Sequence, residues 1–249
     1  MERVKDEPVV IARRFNGPPE SGHGGYSAGC AGVLVDAPAA EVTLRRPPPL
    51  ETPLAVVRRD AGVTLIDGDA VVAEARPAEL SVSAPPPVSV EQAAAASERF
   101  SWAHDHPFPT CFGCGPERDP ADALCLYTGP VGDGRFAVPW TPPAWTADPT
   151  SSAGTGGDGV VEPRFAWAAL DCPSSAPVHE TISAPVVLGR LTVALEAPIE
   201  VGAPHVVQAW LEHSEGRRRH TAVAIFTAAG ERRACGRAVW VQLARPLGR

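Results

Sequence analysis

His23-Gly24-Gly25-Tyr26-Ser27-Ala28-Gly29-Cys30-Ala31-Gly32-Val33-Leu34-Val35 is the stretch on which the reading of this chain turns. It is too short and too free of charge for a surface helix. It reads as a helix buried on most sides, with its start exposed to a cleft. A helix start carries unpaired backbone N–H groups and the positive end of the helix dipole. Glycine lets another molecule approach that backbone closely. Such a site suits a developing oxyanion. It equally suits a tight turn with no ligand.

Outward from this segment, the pattern repeats. Before it, Val4 to Phe15, which carries Val9-Val10-Ile11, reads as an opening strand, and Asn16 to Gly22 is a Pro/Gly loop. After it, Val42 and Leu44 alternate with polar neighbours, and Leu54 to Arg59 is a second short run. Val63 and Leu65 lead through Asp67-Gly68-Asp69, a hairpin signal, into Val71 to Ala75. Ser81 to Val88 holds three consecutive prolines and is excluded from a central strand or helix. Ser89 caps a short helix within Val90 to Phe100. His104 to Pro120 is irregular. Leu124 to Tyr127 and Arg135 to Trp140 are strand candidates around Gly132-Asp133-Gly134. Thr141 to Gly159 is a long loop, expected to be mobile over Ser151 to Gly157. A second apolar helix, Phe165 to Leu170, ends at Asp171-Cys172-Pro173. Four alternating stretches follow, around Leu191–Leu195, Val206–Leu211, Thr221–Ile225 and Val239–Leu243. Each half thus reads as strand, buried helix, then about four antiparallel strands. The expected fold class is α+β. Each half is a curved antiparallel sheet round one helix, and the two sheets pair side by side. The expected divisions are 1–82, a connector at 83–120, and 121–249.

Composition bounds the class. The chain has 249 residues, 44% apolar and 20% charged, with a net charge of −7. That predicts a globular protein and argues against a general nucleic-acid binder. A run of about 18 apolar residues, needed for a membrane helix, does not occur. Residues 1–7 lack the apolar centre of a signal peptide, so a cytoplasmic location is expected. One lysine among 22 basic residues, with abundant Ala, Pro and Gly, suggests a GC-rich genome such as an actinobacterial one. Six cysteines in a reducing compartment do not imply disulfides. Cys30, Cys172 and Cys235 read as small core residues.

Three stretches resemble the hotdog-fold thioesterase superfamily in its fused, double-hotdog form. They are Asn16 to Tyr26, Cys111-Phe112-Gly113-Cys114-Gly115-Pro116 with Leu124 to Tyr127, and Val160 to Asp171. The resemblance implies two tandem hotdog repeats forming a pseudo-dimer, and hydrolysis of an acyl-CoA or acyl-carrier-protein thioester. In that family the helix begins His-Gly-Gly and reaches an acidic residue nine positions after the histidine. Here His23-Gly24-Gly25 is followed by Gly32 at that spacing. Asp171 is preceded at that spacing by Glu162, with Pro163-Arg164 in place of the glycines. Each half carries one part of the pattern. A single composite site and two degenerate sites are both consistent with this.

In the composite reading, Asp171 activates water or attacks the thioester, and His23 orients the site. Backbone at Gly24 and Gly25 holds the carbonyl oxygen, with Tyr26 and Asn16 alongside. In the plainer reading, Asp171 is a helix C-terminal residue bonding a neighbouring amide. No Gly-x-Ser-x-Gly elbow is present, which argues against a serine triad. Two rivals remain. A dehydratase or hydratase on the same fold needs a histidine a few residues after Asp171, and His179 lies beyond two prolines. A non-catalytic binder of acyl groups or CoA fits the incomplete motifs. Cys111, Cys114, His104 and His106 offer four zinc ligands, but a structural zinc site pairs two ligand clusters and this is one. Packing or a turn is the expectation there, with no metal or other cofactor. Arg217-Arg218-Arg219 reads as a solvated turn or a site for CoA phosphates. Assembly is expected as a monomeric pseudo-dimer or a homo-oligomer.

Overall fold

Helix α1 (Gly24–Gly32) is made, Tyr26 apart, of residues small enough to be approached closely, and all but Gly24 are buried. His23 caps it, its ring accepting from Tyr26 N–H. Its partner is α3 (Pro163–His179). Gly25, Gly29 and Gly32 recur at helical spacing and face Trp167 and Asp171 of α3. An added Cβ would lie 2.4 Å from Asp171 Cβ at Gly25, 2.9 Å from Trp167 Cβ at Gly29, and 2.5 Å from the Trp167 ring at Gly32. The glycines therefore set how closely the two helices approach. The computed structural model describes residues 7–151, 159–179, 181 and 186–243.

Ten strands form one antiparallel sheet round this helix pair. They are β1 (Ala39–Leu44), β2 (Ala55–Arg59), β3 (Gly62–Asp67), β4 (Ala70–Pro77), β5 (Gly129–Gly132), β6 (Arg135–Trp140), β7 (Val186–Leu195), β8 (His205–Glu215), β9 (Arg218–Thr227) and β10 (Arg232–Gln242). The order is β2-β3-β4-β1-β7-β10-β9-β8-β6-β5. The two halves join at β1 and β7, with Ala39 opposite Ala194 and Thr43 opposite Arg190. Two helix-wrapping half-sheets thus fuse edge to edge, the double-hotdog architecture expected from the repeat.

Much of the second half's strands is buried on both faces, because residues 80–88 cross part of the back of the sheet. Val82 packs on Ala222, Ala224, Phe226 and Cys235. Val88 and Ala93 pack on Ala137 and Val206. The buried Gln208 side chain accepts from Val88 N–H at 3.1 Å. Arg135 Nη1 donates to Pro86 O at 2.9 Å. Helix α2 (Val90–Ser97) follows, closed by a capping box of Ser89 and Gln92.

Four expectations need correction. The opening strand is only a bridge between Val9 and Leu54, followed by a 3-10 turn at Arg13–Phe15. Leu124 to Tyr127 is not a strand. Cys125 has φ 53°, which breaks the extended run, and the strand forms at Gly129–Gly132 instead. Helix α1 stops at Gly32, short of Val35. Helix α3 does not stop before Pro173 but runs through Pro173 and Pro177 to His179. Ser174 Oγ donates to Asp171 O and Ser175 Oγ to Cys172 O, both at 2.7 Å, while the carbonyls that lose a helical donor to the prolines are those of Ala169 and Pro173. Asp171 is therefore a mid-helix residue. Of the loop expected to be mobile, residues 152–158 lie outside the described residues. Among the described residues no helix is long and apolar enough to cross a membrane.

Candidate active site

Asp171 and the start of α1 meet. Gly25 N–H donates to Asp171 Oδ2 at 2.5 Å, and His23 Nδ1 stands 3.4 Å from the same oxygen. Only glycine at position 25 allows this, since a side chain would occupy the place of Asp171 Cβ. Asp171 and His23 are both buried, and Asp171 Oδ1 has no hydrogen-bond partner among the described residues. Burial pushes the Asp171 carboxyl up, against the opposing pull of His23 and the Gly25 N–H. Burial acts to lower the His23 pKa, but the Asp171 carboxylate and the Cys111 thiol override it, so the net direction is upward. Tyr26 N–H also donates to His23 Nδ1, at 3.2 Å.

The other face of the imidazole meets sulfur. His23 Nε2 lies 3.2 Å from Cys172 Sγ, and Cys172 Sγ lies 3.8 Å from Cys111 Sγ. Cys114 Sγ is 3.3 Å from His106 Nε2. These three cysteines form the inner wall of a cleft of about 110 Å³. The rest of its lining is mainly apolar, including Phe100, Trp102, Phe108, Phe136, Val186 and Trp240. His179 lines it too, carried there by the unbroken α3, and sits edge-on to Trp102 with ring centroids 5.0 Å apart. From the cleft inward the order is cysteine sulfur, His23, Asp171.

The other expected site residues have different positions. Asn16 is a tie. Its Nδ2 donates to Thr110 O at 3.1 Å, its Oδ1 accepts from Arg118 at 2.6 Å, and its backbone O accepts from Phe112 N–H at 2.8 Å. It thereby fixes the turn that carries Cys111. Tyr26 is a core ring stacked on Phe15 at 4.0 Å. Gly24 begins α1 at the edge of the site, an added Cβ there lying 3.1 Å from Asp171 Oδ2. His104 is exposed and His106 touches Cys114, whereas Cys111 and Cys172 gather round His23. Cys172, read as a small core residue, belongs to this cluster. The available signal was its place directly after Asp171, as a third thiol to match the Cys111-x-x-Cys114 pair. Arg218 and Arg219 begin β9 beside the turn at Gly216, where Arg219 donates to Gly216 O.

Neither a protein-family model nor a curated protein matches the sequence. Solved structures do match the fold along its whole length. A candidate thioesterase from Novosphingobium aromaticivorans superposes with a TM-score of 0.62 at 12% identity, covering 97% of this chain and 98% of that one. The tesB protein of Mycobacterium avium subs paratuberculosis gives 0.59 at 13% identity, over 97% and 95% of the two chains. A candidate thioesterase II from Thermobifida fusca gives 0.57 at 16% identity, over 97% and 94%. With its ten-stranded fused sheet and paired central helices, the chain is a double-hotdog protein, thioesterase-like in fold.

Proposed function

We propose that this chain binds an acyl thioester, of coenzyme A or an acyl-carrier protein, at the start of α1 and hydrolyses it at Asp171, with the acyl chain reaching the neighbouring cysteine-walled cleft. One observation carries the reading: the two incomplete halves of the sequence pattern complete each other, with Asp171 of α3 bonded to Gly25 N–H of α1 and beside His23. In the proposed reaction Asp171 takes a proton from water as the water oxygen attacks the carbonyl carbon. The C–S bond then breaks, and the leaving thiolate takes the proton back from Asp171, giving a free acid and a free thiol. His23 holds the carboxylate in place. Gly25 N–H is engaged by Asp171, which leaves the Gly24 amide for the carbonyl oxygen. The aromatic and aliphatic lining suits the acyl chain. Residues 1–82 and 121–249 act as the two repeats, joined by 83–120, and both are needed for the one site. No membrane or nucleic-acid partner is part of this reading, and the protein acts in the cytoplasm.

A second reading, an acyl-thioester binder without turnover, is favoured by the depth of Asp171, which is 3% exposed. A panel of acyl-CoAs, followed for free thiol and for binding, separates the two. Thiol release by the wild type should fall about 100- to 10,000-fold in Asp171→Asn, with near-ultraviolet circular dichroism unchanged. Full activity in that variant removes Asp171 from the reaction. Binding without thiol release establishes the second reading, and hydration of an enoyl substrate would point instead to a hydratase.

A further inference from the structure

We propose that His23 Nε2 and the thiolates of Cys111, Cys114 and Cys172 form a tetrahedral zinc site. Four soft donors come from three distant parts of the chain. His23 caps α1, Cys111 and Cys114 flank a two-residue turn in the connector, and Cys172 lies in the middle of α3. Zinc–sulfur bonds of about 2.3 Å and zinc–nitrogen bonds of about 2.0–2.1 Å give tetrahedral edges of about 3.8 Å between sulfurs and about 3.5 Å between sulfur and nitrogen. The Cys111–Cys172 separation is 3.8 Å and the His23–Cys172 separation 3.2 Å. The donor atoms of His23, Cys111 and Cys172 all lie within 4.8 Å of one another. Cys114 Sγ stands outside that cluster, 3.3 Å from His106 Nε2, and supplies the fourth position by turning from His106 toward it.

The surroundings fit a metal ligand set. A histidine that binds zinc through Nε2 carries its proton on Nδ1 and gives it to a carboxylate or carbonyl behind the ring. His23 has Asp171 Oδ2 behind it at 3.4 Å. The Nδ1 proton then takes the place of the contact accepted from Tyr26 N–H. Gly113, between the two connector cysteines, tolerates no side chain, because a Cβ would lie 2.5 Å from Cys172 Sγ and 2.6 Å from His23 Nε2. Three thiolates and one imidazole select zinc over magnesium or calcium, whose preferred ligands are oxygen. A site closed by four protein ligands is structural, and here it clamps the connector to both central helices.

The test uses the full chain and no substrate, so it is independent of the thioester reading. Protein expressed with Zn²⁺ and desalted should hold about one zinc per chain by elemental analysis. Replacing zinc by Co²⁺ should give thiolate-to-cobalt charge-transfer and tetrahedral ligand-field bands. Cys114→Ser and His23→Gln should each weaken zinc binding at least about 100-fold, and Asp171→Asn about 10- to 100-fold. His104→Gln should change nothing. Less than about a tenth of a zinc per chain in the wild type overturns the proposal. So do Co²⁺ spectra without charge-transfer bands, a Cys111–Cys172 disulfide in the purified protein, or a single alkylatable Cys172 among metal-free thiols. The wild-type spectra decide the matter even where a variant does not fold.

Discussion

Gly25→Ala is the most exacting perturbation of this fold, because the new methyl meets atoms that have little freedom to move. Its Cβ would lie 2.4 Å from Asp171 Cβ, 2.7 Å from the Trp167 carbonyl oxygen and 3.1 Å from Asp171 Cγ. Two of these belong to a side chain rooted in α3 and the third is α3 backbone, so relief requires the helices to part. Overpacking of this kind costs about 1–3 kcal/mol. Parting also stretches the 2.5 Å hydrogen bond from Gly25 N–H to Asp171, and a bond to a charged group is worth about 1.5–3 kcal/mol. Against this, alanine gains up to about 1 kcal/mol over glycine in a helix. The balance is a loss of about 2–4 kcal/mol, or about 5–15 °C in Tm for a chain of this size. Urea denaturation of wild type and variant measures it. Gly32→Ala gives the internal comparison. Its Cβ meets the far edge of the Trp167 ring at 2.5 Å, and a ring edge can swing. Gly25→Ala should therefore be the more destabilising of the two. A Gly25→Ala variant as stable as wild type, or a reversed order, would refute the argument that backbone proximity at Gly25 sets the helix contact.

Two further outcomes follow from burial. Burial, with His106 nearby, lowers the His179 pKa to about 4, so a proton NMR titration of its ring should have a midpoint near that value rather than near 6.5. Because the unfolded chain takes up this proton first, stability is lost as pH falls from about 6.5 and the loss is complete below about 4, reaching at most about 3 kcal/mol. His179→Gln should flatten that part of the acid limb, and an unchanged limb would count against a neutral buried His179. Gln208→Ala removes the acceptor of Val88 N–H and should cost about 1–3 kcal/mol in urea, with faster amide exchange at residue 88. Unaltered exchange there would show that the proline segment is held by other contacts.

The alternation of Val42 and Leu44, Val63 and Leu65, and the four stretches after Leu191 made the strands legible, because a half-buried strand writes its period into the sequence. The side-by-side pairing of the halves followed from the repeated order. The helix ends were not legible. Proline ordinarily stops a helix, and nothing local to Pro173 shows that α3 will run through it to His179. That error placed Asp171 at a helix end and His179 outside the helix. The meeting of Asp171 with Gly25 was legible as two half-patterns, since each half lacks what the other has. The sulfur cluster was legible only in part. Cys111-x-x-Cys114 marks itself by spacing, whereas His23 and Cys172 come to it through the contact of α1 with α3, which no spacing records. Asn16 showed the converse: a polar residue in a suggestive loop proved to be an anchor for the neighbouring turn.

The segment that crosses the back of the sheet, residues 80–88, has a further consequence. A hotdog sheet has an outer side that its own helix does not cover. On the β1–β4 half that side is dressed with charge: Arg45 pairs with Glu74, while Arg76 and Arg190 approach Glu41. On the β7–β10 half the chain supplies its own lining, with Val82 and Val88 pressed onto the strands. The connector between repeats is thus also a wall. Shortening it would strip one half of its outer skin and bare the apolar side chains of Ala222, Ala224, Phe226 and Cys235.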